Sequence, residues 1–260
     1  MNETKLWASP IFGPVHSRRL GISLGINLQP GDGKVCSFDC IYCECGLNDE
    51  RRPHSKRPTR EAVAAALEAK LKAMKEEGEA PDVLTFAGNG EPTGHPLFPE
   101  IIDDTIRLRN IYCPEAKISV LSNATFCGKE KVREALMRID NNIQKLDTVD
   151  NSYINKVDRP TLPSYDVKEV IEWLKAFNGK CIIQTMFMEG TNDGESVSNT
   201  ADSFVNPWLE AVKDIMPQQV MIYTIDRTTP VETLRKASPE RLNEIRDKVI
   251  AMGIPCSASY

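Results

Sequence analysis

The sequence predicts an α/β fold, a parallel sheet rolled into a partial (β/α)6 TIM-like barrel. Three observations predict it. Strand-like stretches rich in β-branched residues recur along the chain, amphipathic helical patterns with recognisable ends lie between them, and polar residues gather just after the strand-like stretches. The 260 residues can bury a substantial core. An eight-unit barrel takes about 250 residues, yet only six strand–helix units are legible. A six-stranded partial barrel is therefore expected over a closed eightfold one, with a doubly wound sheet as the structural alternative. No composition shift marks a boundary, so the chain reads as a single domain over 1–260, with an N-terminal extension over 1–20 and a long cysteine-bearing loop over 29–58.

The expected strands are "ISLGINL" (22–28), "VLTFAG" (83–88), "KISVLSN" (117–123), "IQKLDTV" (143–149), "CIIQTMF" (181–187) and "VMIYTI" (220–225). Three helices carry clear ends. "TREAVAAALEAKLKAMKEEG" is rich in alanine and stops at Gly78. In "SYDVKEVIEWLKAFNG", Asp166 stands at the cap with Glu169 three residues on, and Val167, Val170, Ile171, Leu174 and Phe177 share one face. In "SPERLNEIRDKVIAMG", Ser238 is the cap, Pro239 opens the first turn and Gly253 follows the end. Fainter helical patterns fall near 97–110, 129–139 and 206–216.

Composition narrows the class. Hydrophobic content of 41% and charged content of 27% are globular values. The first twenty residues hold no apolar run of signal-peptide or membrane-span length, so a soluble cytoplasmic protein is expected, with no membrane partner. A net charge of −5 argues against broad nonspecific nucleic-acid binding. One local basic stretch, "RRPHSKRPTR" from Arg51 to Arg60, reads either as a solvated loop or as a docking surface. Arg18 and Arg19 offer either a phosphate contact or an ordinary surface role.

The cysteines carry the sharpest signal. Cys36, Cys40, Cys43 and Cys45 fall within ten residues. Without a secretory signal, such clustering points to metal rather than to disulfides. The C-x3-C-x2-C spacing of Cys36, Cys40 and Cys43 lets one curled loop wrap three thiolates around one centre. A [4Fe–4S] cluster normally takes four cysteines, so three leave one iron open. Cys45 either completes a four-sulfur structural zinc site or stands beside the centre as a bystander. Ligands two residues apart make a poor tetrahedral clamp, and no distant second pair is present. Cys113, Cys127, Cys181 and Cys256 are scattered and read as structural thiols, with Cys256 in a "CSASY" tail.

In parallel α/β folds reactive residues sit at the carboxyl ends of the strands. Those ends carry the cysteine loop, "AGNGEPTG" (87–94), Ser122 and Asn123, Asp147 and Asp150, Gln184, and Asp226-Arg227. "GISLG" (21–25) matches a serine-hydrolase nucleophile elbow, but a proline-rich segment and a cysteine loop follow it and no late histidine exists. No Walker loop or dinucleotide fingerprint is present.

"CSFDCIYC" resembles the signature of the radical S-adenosylmethionine (radical SAM) superfamily, with Tyr42 in the aromatic position. "GNGEP" resembles that family's glycine-glycine-glutamate-proline motif, with Asn89 in place of the second glycine. "FGPVHSRRLGISLGINLQP", "CSFDCIYCECG", "KLDTVDNSYINKVDRP" and "YTIDRTTP" resemble an Fe–S oxidoreductase group related to wyosine-synthesising radical SAM enzymes.

The resemblance implies that Cys36, Cys40 and Cys43 ligate a [4Fe–4S] cluster whose fourth iron binds S-adenosylmethionine. Reductive cleavage of that cofactor would yield a 5′-deoxyadenosyl radical that abstracts hydrogen from a substrate. Tyr42, Gly88, Asn89, Gly90, Glu91, Ser122 and Asn123 are then the expected cofactor-binding residues, and Asp147, Gln184 and Arg227 the expected catalytic ones. The expected partners are an electron donor of the flavodoxin or ferredoxin kind, docked on the Arg51–Arg60 stretch, and an RNA or protein substrate. An RNA base is the first substrate expectation. Activation of a glycyl-radical protein and peptide modification are the alternatives within the class, and a non-catalytic zinc-stabilised binding module is the alternative outside it.

Overall fold

The computed structural model describes residues 4–17 and 21–260; Arg18 and Arg19 lie outside the described residues. The main sheet has eight strands: β1 (Ile11–Ser17), β2 (Gly21–Ile26), β3 (Val83–Phe86), β4 (Lys117–Ser122), β5 (Asn141–Lys145), β6 (Ile182–Met186), β9 (Gln219–Tyr223) and β11 (Cys256–Ser259), in that spatial order. β1 runs antiparallel to β2, and every later pairing in this sheet is parallel. A second sheet joins β10 (Leu234–Lys236), β7 (Met188–Asn192) and β8 (Glu195–Ser196). The helices are α1 (Arg60–Glu76), α2 (Phe98–Tyr112), α3 (Glu130–Leu136), α4 (Asn151–Val157), α5 (Val167–Lys175), α6 (Asp202–Ile215) and α7 (Pro239–Ala251).

Period-2 alternation divides the sheet into two chemically distinct faces. Leu24, Ile26, Leu84, Phe86, Ile118, Val120, Ile183, Val220 and Ile222 pack with the helices in one large core. The opposite face is more polar. Ser23 bonds Thr85 across strands at 2.9 Å, Asn141 donates to Ser119 at 2.9 Å, and a small apolar patch of Leu121, Ile143, Ile182 and Met221 sits among them. Helices on one face and a polar opposite face make a partial barrel, not a doubly wound sandwich. Its inner face is free to line a site.

The helix ends obey the expected chemistry. Thr59 accepts the Ala62 N–H at 3.2 Å, Asp166 the Lys168 N–H at 3.0 Å, and Ser238 the Arg241 N–H at 3.1 Å. All six expected strands are present. The terminus expected as a tail is instead a strand: β11 adds a seventh parallel strand, with Cys256 opposite Val220. Its four residues include no β-branched side chain, so its pairing comes from the edge offered by β9 and not from local propensity. Nor is each strand followed by a helix, since β6 leads into β7.

Candidate active site

The loop between β2 and α1 closes over the carboxyl ends of the strands, and backbone clamps fix it on both sides. Val35 N–H donates to the Asn89 carbonyl at 2.9 Å, and Glu91 N–H donates to the Val35 carbonyl at 3.3 Å. Across the loop, Asp39 N–H donates to the Asp158 carbonyl and Ile41 N–H to the Val157 carbonyl, both at 2.9 Å. The thiol loop is thus strung between the turn after β3 and the end of α4. Gly90 permits the first clamp. Its φ is +136°, and an added Cβ would lie 1.9 Å from the Val35 carbonyl oxygen.

Cys36, Cys40 and Cys43 share this loop, and each thiol rests against protein. Cys36 Sγ accepts the Phe38 N–H at 3.5 Å and lies 3.7 Å from Asn123 Nδ2. Cys40 Sγ donates to Asp158 Oδ1 at 3.4 Å. Buried Cys45 reaches the Gly88 carbonyl at 3.3 Å and hydrogen-bonds Cys43. Among the described residues, no three His, Cys, Asp or Glu side chains stand in a preformed metal-holding group. Burial pushes the Cys36 thiol up to about 12, reinforced by the Glu91 carboxylate, and pushes Cys40 well above the usual thiol range. Cys43 moves down, to about 6, because the Cys45 thiol hydrogen-bonds it; the same bond holds Cys45 protonated.

Beneath the loop lies a buried ionic group. Lys145, from the end of β5, pairs with Asp147 and, at 3.0 Å, with Asp158 at the end of α4. Tyr42 donates to Asp147 and lies 3.2 Å from Asp158, with the Lys145 ammonium 4.5 Å from its ring centroid. Asp147 also accepts the Met186 N–H at 2.9 Å. Burial lowers the Lys145 pKa, but the two carboxylates, aided by Cys40, outweigh it and raise it well above the usual lysine range. Burial raises Asp158 to about 6 against the opposing pull of Lys145. Lys34, 3% exposed, donates to the Gly46 carbonyl at 2.7 Å within the same loop.

The structure brings most of the expected residues together, though several are committed to the protein. Glu91 Oε1 accepts from the Thr93 amide and hydroxyl, at 3.0 and 2.5 Å, and Oε2 accepts the Asn123 N–H at 2.6 Å. It ties the β3 turn to the end of β4, and burial raises its pKa. Asn89, fully buried, donates to the Trp7 and Pro30 carbonyls at 2.9 and 2.8 Å and accepts the Trp7 N–H at 2.8 Å. The departure from glycine therefore has a structural cause: Asn89 staples the N-terminal extension to the site. Ser122 accepts the Ala124 N–H at 3.1 Å, and Asn123 donates to Ser37 at 2.9 Å.

Gln184 is half-buried on the inner face, opposite Lys145 in register, and its side-chain amide bonds to none of the described residues. Arg227 is set apart at the rim, 57% exposed, paired with Glu44 and 5.6 Å from the Trp7 ring centroid. Asp150 is the cap of α4, accepting the Ser152 N–H at 2.8 Å. Cys113, Cys127 and Cys181 are buried away from the loop, and every cysteine is free.

The basic stretch is largely consumed in structure. Arg51 donates to Thr4, Arg52 pairs with Asp49, Arg57 bonds Gln29 at 2.8 Å, and Arg60 pairs with Asp104. Those bonds hold four of its five cations, and Lys56 is exposed.

Three participants lay unrecognised in the sequence: Lys34, Lys145 and Asp158. The signal for two of them was present in "KLDTVDNSYINKVDRP", where both ends of the stretch meet under the cysteine loop.

The radical SAM superfamily model matches residues 32–202, which span the thiol loop, the turn after β3 and the ends of β4 to β6. The chain belongs to the radical SAM superfamily. Members of that superfamily are enzymes that use a [4Fe–4S] cluster and S-adenosylmethionine. Within it, the chain groups with UPF0026 proteins: one from Helicobacter pylori is 30% identical over 236 residues, covering 89% of this chain and 71% of its own. In fold, the chain is similar to a radical SAM methyltransferase from Sphaerobacter thermophilus, with a TM-score of 0.66 at 18% identity over 92% of this chain. It spans 66% of that methyltransferase. It is also similar to TYW1, solved with a lysine-pyruvate adduct bound, with a TM-score of 0.59 at 13% identity over 88% of this chain and 73% of that one. Among the described residues, no helix is long and apolar enough to cross a membrane.

Proposed function

We propose that this radical SAM enzyme reductively cleaves S-adenosylmethionine and uses the resulting radical to modify an RNA base. The observation that carries the first half is the thiol loop itself. Its three cysteines are held by two backbone clamps, one to the "GNGEP" turn and one to the end of α4, and all three lie in the field of one buried ammonium. This donor set fits a cluster with one iron left open. Cys36, Cys40 and Cys43 would hold it, with Cys45 as a neighbour that hydrogen-bonds Cys43. When bound, the cluster supplies the electron that breaks the sulfonium carbon–sulfur bond, leaving methionine and a 5′-deoxyadenosyl radical.

The chain's own residues orient and enclose. Gly88 and Gly90 hold the turn beside the loop at positive φ, +127° and +136°. Glu91 and Asn123 hold that turn against the end of β4. Asp147 and Tyr42 lock the loop to the sheet, and Gln184 presents an uncommitted amide on the inner face. Gln184 is the side chain best placed to meet a ligand. Lys145 is ion-paired on both sides and serves to hold the loop in place, not to present a free amine. The whole chain acts in this reading as one catalytic unit.

Support for an RNA base comes from the likeness to TYW1 and from the sequence stretches shared with the wyosine-related group. The test is direct: anaerobically reconstituted enzyme, reductant and S-adenosylmethionine are assayed for 5′-deoxyadenosine with and without transfer RNA. Stimulation by RNA together with a mass shift on one nucleoside supports the reading. Cleavage that RNA leaves unchanged refutes the RNA half alone, and absence of cleavage refutes both. An electron donor is required in either case, and reduction by flavodoxin or ferredoxin is checked in the same assay.

A further inference from the structure

The thiol loop has an outer rim that the chemistry above does not use, and three segments far apart in sequence converge on it at residues 43–46. The Lys5 N–H donates to the Glu44 carbonyl at 2.8 Å, so the N-terminal extension lies directly on the residue between Cys43 and Cys45. Arg51 reaches across to Thr4, donating to its carbonyl and hydroxyl at 3.1 and 2.8 Å, and its Nε would lie 3.3 Å from a Cβ added at Gly46. Arg227, from the loop after β9, pairs with Glu44. Trp7 sets the outer cations in place. Asn89 holds its backbone through both N–H and carbonyl, at 2.8 and 2.9 Å. The Lys5 ammonium then lies 4.3 Å, and the Arg227 guanidinium 5.6 Å, from the centroid of its ring.

The rim is cationic although the chain as a whole carries −5. Glu44 is matched by Arg227, and Asp49 by Arg52. Lys5 is exposed and Arg51 bonds only neutral Thr4, so neither pairs with a carboxylate among the described residues. The exposed Glu50 offsets one of these two charges, not both. A nucleic acid seated here would need a free aromatic face for a base. Trp7 offers none, since Phe12 at 4.6 Å and the two cations already cover its ring. A protein partner needs only opposite charge and closeness.

We infer that this rim docks a small acidic carrier protein bearing a one-electron flavin, seated on Lys5, Arg51 and Arg227 and so one residue from Cys43 and Cys45. The carrier's flavin loses one electron, the cluster gains it, and no proton or group passes to this chain. The inference rests on the cluster reading above. It moves the donor from the Arg51–Arg60 stretch expected from the sequence to a rim that shares only Arg51 with it. Docking of this kind is steered by charge and screened by salt.

The experiment uses a flavodoxin as the carrier and compares wild type with Lys5→Glu, Arg227→Gln and Lys56→Glu. Lys5 makes its loop bond through the backbone, so its substitution leaves that bond intact. Lys56, an exposed cation of the basic stretch that makes none of these contacts, is the control. Each protein is reconstituted anaerobically. Flavodoxin binding is read by calorimetry at low and high salt, and bleaching of the cluster absorbance is followed with reduced flavodoxin and with dithionite. Expected for Lys5→Glu is binding weakened about three- to tenfold at low salt, a difference that closes at high salt. Its bleaching by flavodoxin should slow in proportion, while bleaching by dithionite is unchanged. Arg227→Gln should shift binding the same way by less, and Lys56→Glu should match wild type. A Lys5→Glu protein that binds and is reduced by flavodoxin like wild type overturns the inference. So does an equal loss in Lys56→Glu, which marks a diffuse charge effect, or a wild-type cluster that dithionite reduces and flavodoxin does not. Loss of transfer RNA binding in Lys5→Glu with flavodoxin binding intact overturns it too and gives the rim to nucleic acid. Wild type that takes up no iron fails the cluster reading itself, and the inference falls with it.

Discussion

Replacing Gly90 by alanine tests the link between backbone geometry and the thiol loop. At φ +136° the backbone is in a region that L residues rarely adopt, and the added Cβ meets the Val35 carbonyl oxygen at 1.9 Å and Cys36 N at 3.1 Å. Both obstacles are backbone, so no side chain can turn aside. The backbone strain is worth roughly 1–3 kcal/mol. Relieving the clash separates Val35 from the turn and breaks the hydrogen bonds from Val35 N–H to Asn89 and from Glu91 N–H to Val35, at about 1 kcal/mol each. The sum is roughly 3–5 kcal/mol, and a chain of this size loses about 2–4 °C per kcal/mol. Gly90→Ala should therefore melt about 10 °C below wild type by calorimetry and retain less iron after reconstitution. Gly78→Ala is the control, since Gly78 also has positive φ (+75°) but nothing within 4 Å of an added Cβ; strain alone costs it about 1–2 kcal/mol. If Gly90→Ala melts no lower than Gly78→Ala, the clamp argument is wrong.

Three further outcomes are expected. Lys145→Met leaves Asp147 and Asp158 buried without their cation, and breaking such a group costs about 3–5 kcal/mol; denaturant unfolding at neutral pH should show the loss, and an unchanged midpoint would refute the pairing. Asn89→Gly restores the family's glycine but removes three hydrogen bonds to Trp7 and Pro30, worth roughly 3 kcal/mol together; limited proteolysis should then cut the N-terminal segment faster than in wild type. His95, buried, accepts the Leu97 N–H at 3.1 Å through Nδ1 and lies 3.0 Å from the Pro58 carbonyl through Nε2, and burial depresses its pKa. A depressed histidine means that the unfolded chain binds the extra proton first. Its contribution to stability is therefore present above about pH 6.5 and lost as pH falls through the folded value. The melting temperature of wild type should drop between pH 7 and 5 by more than that of His95→Gln, and equal drops would count against the argument.

The helices and inner strands were legible because their signals are local. Asp166, Ser238 and Thr59 cap where capping chemistry places them, and β3, β4 and β6 are β-branched runs. β11 and β1 were not, because their strand character comes from partners: β11 offers only Cys-Ser-Ala-Ser to an edge that β9 supplies. The cysteine loop was legible as spacing, and Glu91 and Asn123 as strand-end polarity. What escaped were long-range meetings. Lys145 and Asp158 are thirteen residues apart in sequence, and nothing local says that both face Cys40. In the basic run from Arg51 to Arg60, the pairing of Arg60 with Asp104 and the bond of Arg57 to Gln29 are long-range in the same way and become visible only in the fold.

The central claim is that three cysteines of one loop hold a cluster and leave one iron for S-adenosylmethionine. The most direct measurement is electron paramagnetic resonance of the anaerobically reconstituted, reduced protein before and after adding that compound, with Cys36→Ala, Cys40→Ala and Cys43→Ala beside wild type and Cys45→Ala. The account predicts about four irons per chain, a signal altered by S-adenosylmethionine in wild type and Cys45→Ala, and loss of the cluster in each of the other three. A spectrum that S-adenosylmethionine leaves untouched, or a cluster lost only when Cys45 is replaced, would contradict it.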